Sequence, residues 1–196
     1  LVLSIPFYFS IYNLTFTNSF FEAVSGFTST GFTVLDNIKL IDQSLIIWRS
    51  STQWLGGLYF LFSIIYLIDI YDDSFKKTLT NFISFNSSEV LKQTVKIFIL
   101  YSSLTIFIFI VLNIFSIRTF DSLNLALTII SSGGFLPVNE LSTIIKENTQ
   151  IIIFSLMMLF SFFSLFFTYN LIFLRKKNIN FLYEDLHLSI YLVVVV

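Results

Sequence analysis

Cysteine is absent from this 196-residue chain. That excludes disulfides and thiolate-bound metals and leaves the redox compartment undetermined. Histidine occurs once, at His187, and a single imidazole cannot assemble a metal cluster. Charge is scarce as well: 12% of the residues are charged, where a soluble domain carries roughly 25%. The net charge is −1, so no basic surface for nucleic acid is expected. No nucleophile–base pair stands out, which ranks an enzyme last among the function classes. Proline occurs twice and glycine six times, so each is informative where it falls.

What fills the chain instead is apolar. Hydrophobic residues make up 56%, with 26 Phe, and the mean hydropathy is +0.86. Three stretches, 45–68, 90–115 and 150–174, are long enough to cross a bilayer core, which needs about 20 helical residues. The expected fold is therefore an all-α membrane protein. Residues 1–12 read as the end of a further helix, with Pro6 as a possible kink. The chain starts at Leu1 inside one apolar run and stops at Val196 inside another, so the expectation is part of a longer membrane protein.

Between the spans lie polar segments. The stretch 69–89 holds Asp69, Asp72, Asp73, Lys76, Lys77 and Glu89, and Arg175-Lys176-Lys177 ends the third span. Together with Lys92 and Lys96, these basic residues outnumber Lys39, Arg118 and Lys146 on the alternate loops. The positive-inside rule then places 69–89 and 175–187 in the cytoplasm, and the remaining polar segments enter from outside.

Those outer segments carry the signal. Four of the six glycines fall in two short polar stretches, Ser25-Gly26-Phe27-Thr28-Ser29-Thr30-Gly31-Phe32 and Ser131-Ser132-Gly133-Gly134-Phe135. A shift of 103 maps Ser19 on Ser122, Ala23 on Ala126, Thr28 on Ser131, Ser29 on Ser132, Gly31 on Gly134 and Phe32 on Phe135. It also maps the 45–68 helix onto 148–171. The order of elements repeats: helix, half-helix, glycine loop, helix. Both copies have one polarity across the membrane, as parallel repeats do.

Bare backbone at membrane depth is tolerated only where protein or water satisfies it. Carbonyls lining a pore can replace the hydration shell of a cation. Glycine reaches the left-handed dihedrals that aim successive carbonyls one way. A half-helix running inward from about Phe20 to Phe27, with N-cap chemistry at Thr17-Asn18-Ser19, turns its negative dipole end toward the loop. The candidate ion-binding residues are Thr28, Ser29, Thr30, Gly31, Ser131, Ser132, Gly133 and Gly134, with Phe32, Phe135 and Glu22 in support.

On these residues a family resemblance rests. Phe20 to Phe32 resembles the first selectivity filter of the Trk/Ktr/HKT potassium transporters. Gln53-Trp54-Leu55-Gly56-Gly57-Leu58 is similar to the helix that follows it there. Ser131 to Phe135 resembles the second filter, and Tyr183-Glu184-Asp185-Leu186 the lead into a third repeat. The resemblance implies four helix–pore-loop–helix repeats around one pore, of which this chain would carry about half. Repeat one would occupy 1–68 (filter region about 18–35, inner helix 45–68) and the cytoplasmic loop 69–89. Repeat two would occupy 90–174 (helix 90–115, filter region about 120–138, helix 150–174), and 175–196 would open repeat three.

It further implies potassium, held by the filter carbonyls, as cargo, with Na+ or H+ coupling possible in the family and no cofactor. Glycine at Gly31 and Gly134 implies potassium over sodium, since plant members with serine at the first position favour sodium. Implied partners are the lipid bilayer, a second copy in a homodimer, and a cytoplasmic nucleotide-binding regulatory subunit of the TrkA/KtrA type. The implied location is a bacterial inner membrane, crossed several times. Tyr59 and Leu136-Pro137 depart from the family pattern. The alternative function is a carrier for another cation or a small solute.

Several residues keep two readings. Arg49 is either a snorkel at the interface, the preferred reading, or a partner for a loop acid. Glu22, an acid at depth, is either functional or a holder of a neighbouring N–H. Asp36 and Glu140 either concentrate cations at the outer mouth or are simply solvated. Gly56-Gly57 is read as a packing device.

Overall fold

The structure, a computed structural model, describes residues 1–10, 14–71 and 87–162. Among them there is no strand. A 3-10 turn at Val2–Ser4 leads into α1 (Ile5–Tyr8), followed by α2 (Phe16–Phe27) and α3 (Gln43–Tyr71). Next come α4 (Ser87–Ile114), α5 (Thr119–Ile130) and α6 (Asn148–Phe162), with 3-10 turns at Ile38–Leu40 and Leu141–Thr143. Most of the expected 69–89 loop, the end of the third span and all of 175–196 lie outside the described residues.

Local chemistry explains the boundaries. Pro6 sits in the first turn of α1, where its missing N–H has no partner to lose, so it opens a helix and does not kink one. α2 begins earlier than expected, at Phe16, because its cap is Thr15. The Thr15 Oγ1 accepts the Asn18 N–H at 3.3 Å. α3 continues to Tyr71, past the polar boundary expected at 69.

The two 12-residue helices α2 and α5 are displaced by 103 positions at both ends, and so are the 3-10 turns Ile38–Leu40 and Leu141–Thr143. α3 and α4, with 29 and 28 residues, are about 43 Å and about 42 Å long, enough for a hydrocarbon core of about 30 Å. By length and composition together, Thr94–Ile114 is the one helix among the described residues that qualifies as a span. The first half of α3 is too polar to do so, carrying Arg49-Ser50-Ser51-Thr52-Gln53 in a row.

Burial runs against the pattern of a water-soluble protein. Ser19, Glu22, Thr52, Gln53, Ser122 and Asn124 are fully enclosed, while Val95, Ile99, Ile106, Ile110 and Ile114 stand exposed along α4. In water such an apolar face would be a large sticky patch; hydrocarbon accepts it. This suits a membrane protein. One core joins α3, α4 and α5 through Leu58, Leu61, Ile97, Tyr101, Ile108, Leu112, Leu125 and Ile129. A second, smaller one gathers Phe7, Ala23, Ile38, Ile41, Leu45 and Ile46 around the start of α3.

α3 packs between the C-terminal ends of α2 and α5. A Cβ on Gly56 would sit 1.8 Å from the Phe27 carbonyl oxygen at the end of α2. One on Gly57 would meet Ser131 Cβ at 2.7 Å, just past α5, and the Tyr101 hydroxyl at 2.6 Å. Backbone, unlike a side-chain tip, cannot swing aside. Gly56→Ala should therefore lower the unfolding midpoint of the intact protein in detergent by an amount matching about 1–3 kcal/mol of overpacking. Leu55→Ala, on the exposed face of the same helix, should be close to neutral. Equal midpoints for the two variants would show that α3 does not wedge these helix ends.

Candidate functional site

Both half-helices end in the same way. Ser29 N–H bonds to the Gly26 carbonyl and Thr30 N–H to the Ser25 carbonyl, each at 3.0 Å. In α5, Ser132 N–H bonds to the Ile129 carbonyl at 3.0 Å and Gly133 N–H to the Thr128 carbonyl at 2.9 Å. This is the paired bond pattern of a Schellman ending. The residue that must adopt the left-handed conformation is serine in both, with φ of 53° at Ser29 and at Ser132. A left-handed non-glycine residue costs roughly 1–2 kcal/mol. Two residues later φ is positive again, 81° at Gly31 and 77° at Gly134. The sign of φ thus alternates along each loop, which it does not do in a regular strand.

The glycines thus serve two purposes. Gly31 and Gly134 supply positive φ. Gly26 and Gly133 supply space: a Cβ on Gly26 would lie 2.4 Å from Thr52 Oγ1, and one on Gly133 would lie 2.4 Å from Gln53 Cδ. The two loops also touch. A Cβ on Gly31 would meet the Gly133 carbonyl oxygen at 2.4 Å and Gly134 Cα at 3.4 Å. The predicted residues Thr28 to Gly31 and Ser131 to Gly134 are therefore brought side by side.

Among the described residues, no hydrogen-bond donor meets the carbonyls of Thr28, Ser29, Thr30, Gly31, Ser131, Ser132 or Gly134. Gly133 is the exception. Gln53, wholly buried on α3, donates its Nε2 to the Gly133 carbonyl at 2.5 Å and accepts the Phe135 N–H on Oε1 at 3.2 Å. Below the loops, Thr28, Ser29, Ser131, Ser132, Tyr59, Phe60 and Ser63 line a cavity of about 480 Å3. The C-terminal ends of both half-helices border it, so the negative ends of two helix dipoles favour positive charge there.

The supporting residues differ between the loops. Ser25 Oγ donates to the Phe32 carbonyl at 2.5 Å, but the Phe32 ring is exposed. The Phe135 ring is buried beneath the Arg49 guanidinium, 4.2 Å from centroid to Cζ. Glu22, fully buried, accepts the Thr33 hydroxyl at 2.5 Å and the Val34 N–H at 2.6 Å on Oε1. Its Oε2 lies 3.5 Å from Arg49 Nε, and Arg49 Nη2 donates to Thr33 Oγ1 at 3.1 Å.

Arg49 is therefore no snorkel: it is 1% exposed and pairs with the half-helix acid. Of the mouth acids, Asp36 is exposed and its carbonyl accepts Asn139 Nδ2 at 3.2 Å, while Asn139 Oδ1 accepts the Ile38 N–H at 2.8 Å. Gln53, Thr33, Asn139 and the Ser50–Asn124 bond (2.7 Å) are supports that sequence reasoning missed. Gln53 opens the Gln53–Leu58 stretch quoted above but had no role assigned there, and an amide within an apolar helix is the one signal that could have marked it.

No protein-family model matches the chain. An uncharacterized cation transporter of Methanocaldococcus jannaschii is 27% identical over 165 residues, 79% of this chain and 33% of that protein. The Trk system potassium uptake protein TrkI of Halomonas elongata is 42% identical over 55 residues, 28% of this chain and 11% of its own length. The Escherichia coli Trk system potassium uptake protein TrkH is 41% identical over 56 residues, 28% of this chain and 12% of its own length. The matches thus span a third or less of these relatives.

The buried ion pair makes a sharp energetic expectation. Arg49→Met leaves the buried Glu22 without its opposite charge and should cost about 3–5 kcal/mol. Arg49→Met with Glu22→Gln should cost clearly less than the sum of the two single changes. The double-mutant cycle is read from unfolding of the intact protein in detergent. Additivity within about 0.5 kcal/mol would show that the two side chains do not act as a pair.

Proposed function

On the premise that this chain is a relative of the Trk potassium uptake proteins, we propose that it forms part of a potassium-conducting pore. The single observation that supports this most is that, among the described residues, seven carbonyls on two touching loops meet no hydrogen-bond donor. At membrane depth each such oxygen needs a positive partner. A dehydrated potassium ion, coordinated by several carbonyls at once, is that partner. Thr28 to Gly31 supply one side of the coordinating ring and Ser131 to Gly134 a second. The cavity beneath, at the negative ends of α2 and α5, holds the ion as it regains its water.

Two loops cannot encircle an ion. The resemblance implies four, so the other sides come from further repeats. In this reading the stretches 45–68, 90–115 and 150–174 each cross a bacterial inner membrane, and 69–89 and 175–187 face the cytoplasm. The working protein is a homodimer, bound on its cytoplasmic side by a nucleotide-binding regulatory subunit. Transport needs no covalent chemistry and no cofactor; the driving force is the ion gradient, with or without Na+ or H+ coupling.

Gly31 and Gly134 are both left-handed, but their surroundings differ. A side chain at Gly31 strikes the Gly133 carbonyl, whereas one at Gly134 finds its nearest neighbour, Gly31 Cα, at 4.0 Å. In the intact protein, rubidium uptake should be competed by potassium and hardly by sodium. Gly31→Ser should admit sodium and cut the potassium-to-sodium preference more than Gly134→Ser does. Uptake that ignores potassium would overturn the reading. Equal preference in wild type and Gly31→Ser would remove this loop from the filter.

A further inference from the structure

We infer that Gln53 is a specificity-determining positioning residue: it sets the Gly133 carbonyl apart from the other oxygens of the two loops. The inference rests on the potassium reading above and adds a residue that lies behind the coordinating loops. Its basis is the contrast between two equivalent positions. Thr30 and Gly133 are related by the 103 shift, but among the described residues the Thr30 carbonyl meets no donor and the Gly133 carbonyl meets one.

The contact is a built one. Gln53 has no exposed surface, and its amide is used at both ends, Nε2 to the Gly133 carbonyl and Oε1 from the Phe135 N–H. The bonds straddle Gly134, whose left-handed φ of 77° turns the chain between them. Two bonds from one planar group fix the plane of the 133–134 peptide and the start of the buried Phe135. Gly133 itself is kept small by the same side chain. A Cβ there would lie within 2.8 Å of the Gln53 Cδ, Oε1 and Nε2, so the glycine and the glutamine fit as a pair.

The consequence for an ion is electrostatic. A carbonyl that already accepts an amide N–H presents a weaker field to a cation than a free one. A weaker field penalises a small, strongly hydrated ion more than a larger one, because it returns less of the dehydration cost. Gln53 thereby tilts this level of the ring toward potassium and against sodium. It also prevents the loop from rotating its carbonyl inward to suit the smaller ion. Without the amide, the Gly133 oxygen regains its full field and its freedom, and both changes favour sodium.

The test uses the intact protein in proteoliposomes, with rubidium uptake competed by potassium or by sodium. Gln53→Met keeps the length and volume of the side chain and removes both bonds. The ratio of the sodium to the potassium half-inhibition concentration should fall about five- to tenfold, the factor carried by one buried hydrogen bond. Leu55→Ala, on the exposed face of α3, should leave it unchanged. If Gln53→Met yields too little protein, Gln53→Leu reads the same ratio. A purely structural role would lower the maximal rate, through fewer folded molecules, and leave the ratio at the wild-type value; that result overturns the inference and leaves the potassium reading intact. A wild-type protein that does not prefer potassium to sodium overturns both.

Discussion

Peptide groups buried away from water and from any neighbouring strand must be answered by side chains, and at the buried Gly133 and Phe135 one face of α3 supplies the answer. Arg49, Thr52, Gln53, Gly56 and Gly57 recur along α3 at spacings of three and four, which keeps them on one stripe. Gln53 holds the second loop by its backbone, and Arg49 covers the ring of Phe135 and pairs with Glu22. Thr52 approaches Gly26, and the two glycines let the ends of α2 and α5 close in on the helix.

The distribution of polarity follows from it. A stripe of Arg, Thr and Gln is tolerable in an apolar medium only if it is enclosed, and α2 and α5 enclose it. The apolar side chains displaced from the interior then line the outside, as along α4. The 12% charged content is therefore not spread thinly over a surface. Part of it, Glu22 with Arg49, is spent inside, where removing either member alone leaves an uncompensated charge.

The glycines, the polar interruptions and the shift of 103 were legible in the chain itself, because each is a local departure from an otherwise apolar pattern. The positions of α2 and α5 follow from that shift, apart from the earlier start of α2, where Thr15 outcompeted the Thr17-Asn18-Ser19 cluster as a cap. The left-handed serines were not legible. Ser29 and Ser132 precede the glycines to which that conformation would be assigned, and the Schellman bonds settle it only once the helix end is in place. Nor were Gln53 and Asn139, whose partners lie 80 and 101 positions away. A glutamine within a helix has no periodicity to betray it, and a contact at that separation belongs to the tertiary structure. The partner of Arg49 was not legible either, because the buried acid that claims it stands on a different helix.

Gly56 and Gly57 are consecutive, so they point in directions about 100° apart around the α3 axis. One bears on the tip of α2 and the other on the first residue beyond α5. A roll of α3 in either sense would carry both glycines off these contacts and bring neighbouring side chains against them. The rotational setting of one helix therefore fixes the seat of both loops at once.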